Sequence, residues 1–271
     1  MLAMSSASFQ RFIHNFYARY GRHNLPWRRD FHPYKVLVSE LMLQQTQVER
    51  VIPKFETFIH SFPNFAALAQ APQSEVVAHW LGLGYNRRAL NLHKTAKVVK
   101  EKPNGSLPQD LDALLNLPGI GPYTAAAIQT FAFNIPTVMV ETNIRAVFLY
   151  HFFPGKEKVA DSELIPLIES CLDTENPRLW YSALMDYGTF LKQSFPNPTR
   201  RSKHHQSQSK FIGSLRQARG AILKQLLSTS QMPTADLLSS IKLDATKLET
   251  ALHQLSNEGF VVFQDDTVAL K

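Results

Sequence analysis

One glutamate stands where its helix is expected to be buried. Glu40 falls within the apolar stripe that Leu37, Leu41 and Val48 form at helical spacing. A charged glutamate in that position is costly unless it is paired or neutral. Because burial raises the pKa of a carboxyl group, this residue suits a proton donor at neutral pH. The alternative is an ordinary surface glutamate at the edge of the helix.

A second glutamate opens another helix. Glu141 follows the apolar run at 138–140, and helical spacing resumes from Ile144. A carboxylate at a helix start is stabilised by the helix dipole and stays ionised. The alternative is simple capping of the helix, a task that Thr142 and Asn143 could also perform.

Two further segments offer contacts to a nucleic acid. LLNLPGIGPYTAA at 114–126 predicts a helix, a tight turn and a second helix with Pro122 near its first position. Gly119 and Gly121 allow the backbone N–H groups at that helix start to approach a phosphate, as in a helix-hairpin-helix motif. An ordinary turn between two helices is the alternative. The QQTQ cluster at 44–47 supplies amide groups that suit base edges.

Composition favours a polyanionic partner over a generic basic protein. The 271 residues carry a net charge of +7 and 44% hydrophobic residues. Acidic residues are absent from 187–235, a stretch that suits phosphates. The single cysteine, Cys171, excludes a disulfide framework and a cysteine-ligated cluster. Without a membrane-length apolar run or a signal peptide, we expect a cytoplasmic protein, associated with the nucleoid if it is bacterial.

The chain changes character after about residue 192. Helical patterns dominate before that point, whereas 193–210 is polar, basic and interrupted by proline, which predicts a linker or an arm on a charged partner. Three helical patterns and a β-hairpin signal around Asp265 and Asp266 then predict a winged helix in 211–271. Reading DNA and packing against protein remain alternatives for this segment. Acidic residues in its presumed recognition helix and flanks do not favour a DNA groove.

These segments together resemble the helix-hairpin-helix DNA glycosylases of the endonuclease III superfamily. The likeness runs from LPWRR at Leu25 through SELMLQQTQV at 39–48, WLGLGYNRRALNLHK at 80–94 and the hairpin to LMDYGTF at 184–190. SELMLQQTQV is most similar to the MutY-type adenine DNA glycosylases. The resemblance implies a mostly α fold of two helical lobes, with a flipped base in the cleft between them. We expect one lobe from 1–30 with 146–192, a second from 31–145, the 193–210 linker and the 211–271 domain.

The resemblance also implies roles for individual residues. Glu40 matches the acid that protonates adenine, and Glu141 matches an aspartate that stabilises an oxocarbenium-like sugar with support from Asn143. Tyr123 occupies the place of the lysine of bifunctional members, so we expect little or no β-lyase activity. Gln44 matches a glutamine inserted into the duplex. The expected DNA contacts are Gln44, Gln45, Tyr85, Asn86, Arg87, Arg88, Pro118, Gly119, Gly121, Arg145, Arg200, Arg201 and Lys203.

Four departures from the family pattern bear on function. Glu141 is one methylene longer than aspartate, and a misplacement near 1 Å can cost about 100-fold in rate. Asn86 replaces the second tyrosine of a Gly-Leu-Gly-Tyr-Tyr segment. The four-cysteine iron–sulfur motif is absent after 184–190, and no domain for recognising 8-oxoguanine is evident. We therefore expect no cofactor, although the hairpin leaves room for a monovalent cation.

The sequence thus predicts a monomeric, monofunctional glycosylase that excises a mispaired base from double-stranded DNA. Adenine opposite 8-oxoguanine or guanine is the favoured target. One alternative is another base, such as thymine or uracil opposite guanine, hypoxanthine or a damaged base. The other is a catalytically impaired, DNA-binding homologue.

Overall fold

The computed structural model describes residues 5–271 and confirms a mostly helical fold with a small sheet near residue 260. Two short 3₁₀ turns, Pro26–Arg28 and Pro198–Arg201, accompany the main elements. In chain order, the elements are α1 (Ser6–Tyr20), α2 (Pro33–Leu43), α3 (Val48–Ser61), α4 (Phe65–Gln70), α5 (Gln73–Trp80), α6 (Arg87–Lys100), α7 (Leu111–Leu115), α8 (Pro122–Phe133), α9 (Thr142–Phe152), α10 (Asp161–Ser170), α11 (Pro177–Ser194), α12 (Leu215–Thr229), β1 (Gln231–Pro233), α13 (Thr234–Ser240), α14 (Ala245–Asn257), β2 (Val261–Gln264) and β3 (Thr267–Leu270).

The first of two compact units comprises residues 1–40 and 107–207, of which 1–4 lie outside the described residues. Its core joins α1 to α8, α9, α10 and α11. Phe9 of α1 packs edge-on against Phe148 and Trp180, with ring centroids 5.7 and 5.9 Å away. Aromatic contacts of this kind add to the burial energy, so the unit has a well-defined frame for side chains on α8 and α9.

The second unit comprises residues 41–106 and 208–271. The predicted three helices and hairpin are present here as α12, α13, α14, β2 and β3. Strand β1 is an addition that the sequence did not predict, and it completes an antiparallel sheet in the order β1-β3-β2. Val77 and Leu90 share a core with Ile222, Leu226 and Phe260. The C-terminal segment is therefore packed into the same unit as α5 and α6.

This division differs from the predicted boundaries in three places. Residues 107–145 belong with α1 and α11, because Ala127 and Ile144 are part of that core. The segment 211–271 does not stand alone as a domain. Part of the predicted 193–210 linker is folded, since Pro198, Thr199 and Ser202 are buried.

Between residues 5 and 271, the model has no helix with the length and apolar character that crossing a membrane requires.

Candidate active site

Glu40 lies in the last turn but one of α2 and is only 9% exposed. Its neighbours Val38, Ser39 and Leu41 are buried as well, so this part of the helix is enclosed on all sides. Burial, with a smaller contribution from the charge of Glu141, raises the pKa of Glu40 to about 7. A hydrogen bond from Tyr123 and the charge of Arg28 act in the opposite direction. The carboxyl group can therefore hold a proton near neutral pH.

Tyr123 faces this carboxyl group from the start of α8. Gly121 is the residue before the helix and Pro122 its first residue, a position where proline loses no hydrogen bond. The Tyr123 hydroxyl donates to Glu40 Oε2 at 3.1 Å. Burial, together with the charges of Glu40 and Glu141, holds the pKa of Tyr123 well above its usual range. The phenol is thus a neutral hydrogen-bond donor to Glu40.

Glu141 caps α9, as the capping alternative predicted. Its backbone is extended, and its Oε1 accepts the N–H groups of Asn143 at 2.6 Å and Ile144 at 2.9 Å. Burial raises the pKa of Glu141, while these two hydrogen bonds and the charges of Lys192 and Arg145 oppose that effect. Capping and a role in chemistry are compatible here, because within residues 5–271 Oε2 accepts a hydrogen bond only from the Asn143 side-chain amide, at 3.3 Å.

The two glutamates and Tyr123 belong to one locale within the first unit. Glu141 acts electrostatically on Glu40, and both carboxylates act on the hydroxyl of Tyr123. The sequence placed these residues about 100 and 20 positions apart, with no direct signal that they meet. The hydrogen bond between Tyr123 and Glu40, with these electrostatic effects of Glu141, groups the three residues as one candidate site.

Helix α11 supplies support that the sequence reasoning missed. Thr189 Oγ1 donates to Asn143 Oδ1 at 3.3 Å, and the Asn143 amide in turn reaches Glu141. Gly188 has no side chain because a Cβ there would overlap the Asn143 carbonyl oxygen. One turn further along, Lys192 is half-buried beside Glu141, and burial lowers its pKa. Spacing could have grouped Thr189 and Lys192 on one helix face, but nothing in the sequence named the partner.

Another buried acid lies in the same unit. Asp186 is 4% exposed and accepts hydrogen bonds from the side chains of Arg22 and Arg28 and from the backbone N–H of Arg22. Burial raises its pKa, but the two arginines outweigh that effect and hold the pKa below its usual range. This carboxylate is fully compensated, and it fastens α11 to the segment after α1.

The hairpin is formed as the sequence predicted. Helix α7 leads through Leu117 and Ile120, both buried, to the start of α8. Gly119 has a φ of +74°, the left-handed region that glycine tolerates. Gly119 and Gly121 are exposed, and Pro118 is half-buried. The turn thus presents its glycines and the start of a helix at the surface of the first unit.

Arg88, expected to contact DNA, is instead a buried clamp within the second unit. It is 7% exposed, and its guanidinium donates to the carbonyls of Leu41, Met42, Gln44 and Gly84, the last two at 2.7 and 2.8 Å. Burial lowers the pKa of Arg88 to about 10, which leaves it charged. The clamp joins the 44–46 turn to the 82–85 turn, so these donors are engaged within the protein, and the DNA contact expected of this side chain stays a prediction.

The other expected DNA contacts separate into exposed and internally engaged groups. Arg145 forms a bidentate ion pair with Asp161, at 2.6 and 2.7 Å. The Arg201 guanidinium donates to the carbonyls of Leu149 and Phe153 at the end of α9, so it too is an internal anchor. Asn86 is buried at the start of α6. The expected contacts that remain exposed, apart from the hairpin glycines, are Gln45, Arg87, Arg200 and Lys203, while Gln44 and Tyr85 are half-buried.

Comparison with known proteins decides the family. The sequence profile of the HhH-GPD superfamily of base excision DNA repair proteins matches residues 38–165, which include Glu40, Tyr123 and Glu141. An adenine DNA glycosylase of Mycolicibacterium smegmatis is 32% identical over 265 residues, which cover 89% of each chain. The chain belongs to the HhH-GPD superfamily.

Two further relatives show how far the likeness extends. An adenine DNA glycosylase of Buchnera aphidicola subsp. Baizongia pistaciae is 39% identical over 189 residues, which are 69% of this chain and 54% of the relative. The chain therefore spans about half the length of that relative. A thermostable thymine-DNA glycosylase of known structure is 27% identical and superposes with a TM-score of 0.59 over 68% of this chain and 85% of that one.

This HhH-GPD protein does not fit a four-cysteine iron–sulfur cluster after α11. Its one cysteine, Cys171, is buried at the end of α10, with its sulfur 3.7 Å from Ser6 Oγ. The segment after α11 is held by other means, since Arg201 bonds to α9 and Ser202 pairs with Val159. Across residues 5–271, no three His, Cys, Asp or Glu side chains are grouped to hold a metal ion.

Proposed function

We propose that this HhH-GPD protein is a monofunctional DNA glycosylase that hydrolyses the N-glycosidic bond of a mispaired adenine in double-stranded DNA. The observation that carries the proposal is the buried carboxyl group of Glu40, which accepts a hydrogen bond from Tyr123 and whose pKa burial and the charge of Glu141 raise to about 7. Hydrolysis of a glycosidic bond needs an acid at the leaving group and a negative charge near the sugar. The names of the relatives from Mycolicibacterium and Buchnera support adenine as the base.

In this reaction Glu40 gives its proton to the base. The C–N bond then breaks, its electron pair leaves with the protonated base, and the sugar develops positive charge. Glu141, held by the N–H groups of Asn143 and Ile144, offers its Oε2 toward that charge. Water adds to the sugar and releases a proton, so the products are free base and an abasic site. Both carboxyl groups require a base flipped out of the duplex, because neither reaches inside the stack.

The surrounding residues have supporting roles in the proposed enzyme. Tyr123 donates to Glu40 and so limits the rise of its pKa, while Thr189 and Asn143 orient Glu141. The exposed hairpin glycines approach the phosphate backbone, and Gln45, Arg87, Arg200 and Lys203 contribute further polar contacts. We propose that the protein acts as a monomer, without a cofactor.

A panel of duplexes tests this function. The purified protein is incubated with adenine opposite 8-oxoguanine, adenine opposite guanine, and thymine or uracil opposite guanine, and abasic sites are then cleaved with alkali. Strand scission of the adenine duplexes, and its loss in Glu40→Gln, is the expected result. If no adenine duplex is cut, the adenine assignment is wrong. A borohydride arm is included because the Lys192 amine lies near Glu141, and trapping of the protein on DNA would contradict a monofunctional reaction.

Thymine or uracil opposite guanine is the second candidate target. It is favoured by the structural likeness to a thymine-DNA glycosylase and by glutamate at position 141. The same panel separates the two, since cleavage of the thymine or uracil duplex alone would select it. Glu141→Asp is the matched variant, because aspartate also caps helices well. A gain of excision in that variant on any duplex would indicate that the native residue impairs that reaction.

A further inference from the structure

Tyr85 is held by the C-terminal segment within the second unit. Its hydroxyl oxygen accepts hydrogen bonds from Gln208 Nε2 at 2.8 Å and Arg216 Nη1 at 3.1 Å. The Arg216 guanidinium carbon is also 5.3 Å from the ring centroid, a cation–π distance. Arg216 is itself fixed by a hydrogen bond from its Nη2 to the carbonyl of Ser209, at 2.6 Å. Tyr85 therefore has two hydrogen bonds and a stacked charge from residues far away in sequence.

The backbone of Tyr85 needs this support. Its φ of +47° is in the left-handed region, which costs energy for a residue with a side chain. The same turn is tied to Arg88, whose Nε donates to the Tyr85 carbonyl at 3.2 Å and whose guanidinium lies 5.7 Å from the Tyr85 ring. The Tyr85 residue is therefore in contact with the Arg88 clamp through both its carbonyl and its ring.

The clamp continues to the turn that carries Gln44 and Gln45. Arg88 donates to the Gln44 carbonyl, and Thr46 Oγ1 donates to the Leu83 carbonyl at 3.2 Å. Gln45 also has a positive φ, +53°, and is exposed at the tip of this turn. A continuous set of contacts thus runs from Arg216 through Tyr85 and Arg88 to the amide-bearing turn.

Helix α12, which carries Arg216, is anchored in the core of the second unit. Its buried residues Ile222 and Leu226 share a core with Val77 of α5 and Leu90 of α6. Because α12 is anchored in this way, Arg216 in its first turn is held at a fixed position over the 82–85 turn. The side chains of Glu40 and Glu141 belong to the first unit and make none of these contacts, although Arg88 also donates to the carbonyl of Leu41, the residue after Glu40.

We propose that Arg216 is a positioning residue that acts through Tyr85 and Arg88 to hold the 82–85 and 44–46 turns in the shape needed to engage the duplex. The C-terminal segment would thereby set duplex affinity without touching the chemistry. This inference rests on the proposed function, because it assumes that these turns contact DNA. It predicts that loss of Arg216 weakens binding but leaves the rate of base release unchanged once the duplex is bound.

A double-mutant cycle tests the inference in the full-length protein. Arg216→Ala, Tyr85→Ala and the double variant are made in a Glu40→Gln background, and their Kd for a duplex with adenine opposite 8-oxoguanine is measured by fluorescence anisotropy. Each single change should weaken binding about tenfold, because each removes the cation–π contact and the hydrogen bond between Arg216 and Tyr85. The double variant should be no weaker than the weaker single variant, because Arg216 acts through Tyr85. Weakening of about a hundredfold in the double variant would refute the inference.

Two further variants test whether the effect is specific to the contact between Arg216 and Tyr85. Lys224→Ala removes the same charge from an exposed position on α12, and it should change Kd by less than about twofold. An equal effect of Arg216→Ala and Lys224→Ala would refute positioning in favour of plain charge. Tyr85→Phe is the milder variant to use if the alanine variants do not fold. It keeps the ring and removes the oxygen that accepts the hydrogen bonds. It should weaken binding about threefold.

Excision separates this inference from the proposed function. With Glu40 restored and protein in saturating excess, Arg216→Ala should release base at the native single-turnover rate, within about twofold. A large fall in that rate at saturation would contradict a positioning role in binding. If the native protein releases no base from any duplex, the proposed function is wrong. If the enzyme is active but the effects of Arg216→Ala and Tyr85→Ala on Kd are additive, only this inference is wrong.

Discussion

Two buried carboxyl groups of the first unit, Glu40 and Asp186, are treated in opposite ways. Both are at least nine-tenths buried, at 9% and 4% exposure. Asp186 is surrounded by two arginine side chains and a backbone N–H, and its pKa falls below the usual range. Among the described residues, Glu40 accepts one hydrogen bond, from the neutral phenol of Tyr123. Its pKa rises to about 7. Asp186 is thus a structural ion, whereas Glu40 can hold a proton that it could transfer.

The contrast teaches that burial alone does not identify a reactive acid. The deciding property is whether the surroundings compensate the charge. Arg88 follows the pattern of Asp186, because carbonyl oxygens satisfy its donors, and its role is structural. Glu40 is the exception that the fold leaves incompletely compensated. Such an uncompensated group is where chemistry is expected.

The largest expected effect comes from removing the acid. Glu40→Gln keeps the shape of the side chain but holds no transferable proton, so excision should fall about a thousandfold. At pH 8 the unfolding free energy should be unchanged or higher, by up to about 3 kcal/mol, because an ionised buried carboxylate is removed. Single-turnover excision and urea denaturation measure the two quantities. Retained turnover would contradict the role of Glu40.

The converse variant should damage stability. Asp186→Asn leaves Arg22 and Arg28 without their counter-charge, and breaking a buried ion pair costs about 3–5 kcal/mol. Urea denaturation at pH 7 should show the loss as a lower midpoint. The comparison would fail if Asp186→Asn folded with native stability but lost excision, since Asp186 would then resemble Glu40 in function.

The smallest expected effect concerns pH. Glu40 acts as an acid only when protonated, so the rate should fall as the pH rises through about 7. Tyr123→Phe removes the hydrogen bond that lowers the pKa of Glu40, so this fall should move to higher pH, with a rate change under about tenfold at pH 7. Single-turnover rates from pH 5 to 9 provide the profile. A shift to lower pH would show that the hydroxyl does not stabilise the carboxylate.

The free energy of unfolding, measured by urea denaturation, should depend on pH in the same direction as the rate. Glu40 binds its proton more tightly in the folded protein, at a pKa of about 7 against an ordinary value of 4.5. The folded state therefore loses stability as the pH rises from 4.5 to 7, and this part of the pH dependence should disappear in Glu40→Gln.

The sequence predicted the two glutamates, the hairpin and the succession of helices, because each has a local signal. Glu40 breaks an apolar stripe, Glu141 precedes a helix, and two glycines punctuate a turn. Strand β1 escaped prediction since three residues are too few to show alternation. The contact of Thr189 with Asn143 has no local signal at all, because it depends on how closely α11 approaches α9.

Arginine was the residue type that the sequence interpreted least well. Arg88 and Arg201 were expected to contact DNA, yet both donate to carbonyl oxygens within the protein. Pattern reasoning cannot distinguish these uses, since a carbonyl group and a phosphate oxygen attract the same guanidinium. Arg200, next to Arg201, is exposed, so even neighbouring residues of one type differ in role.

The shared core of the second unit has a consequence for how the chain reaches its native state. Val77 and Leu90 emerge from the ribosome well before Ile222 and Phe260, which cover them in the finished protein. Until those later residues appear, α5 and α6 expose apolar surface that invites association with chaperones or with other nascent chains. Such distant pairings also slow folding, because a long loop must close before they form. Folding of this unit is therefore expected to be completed only after residues 222–260 have left the ribosome.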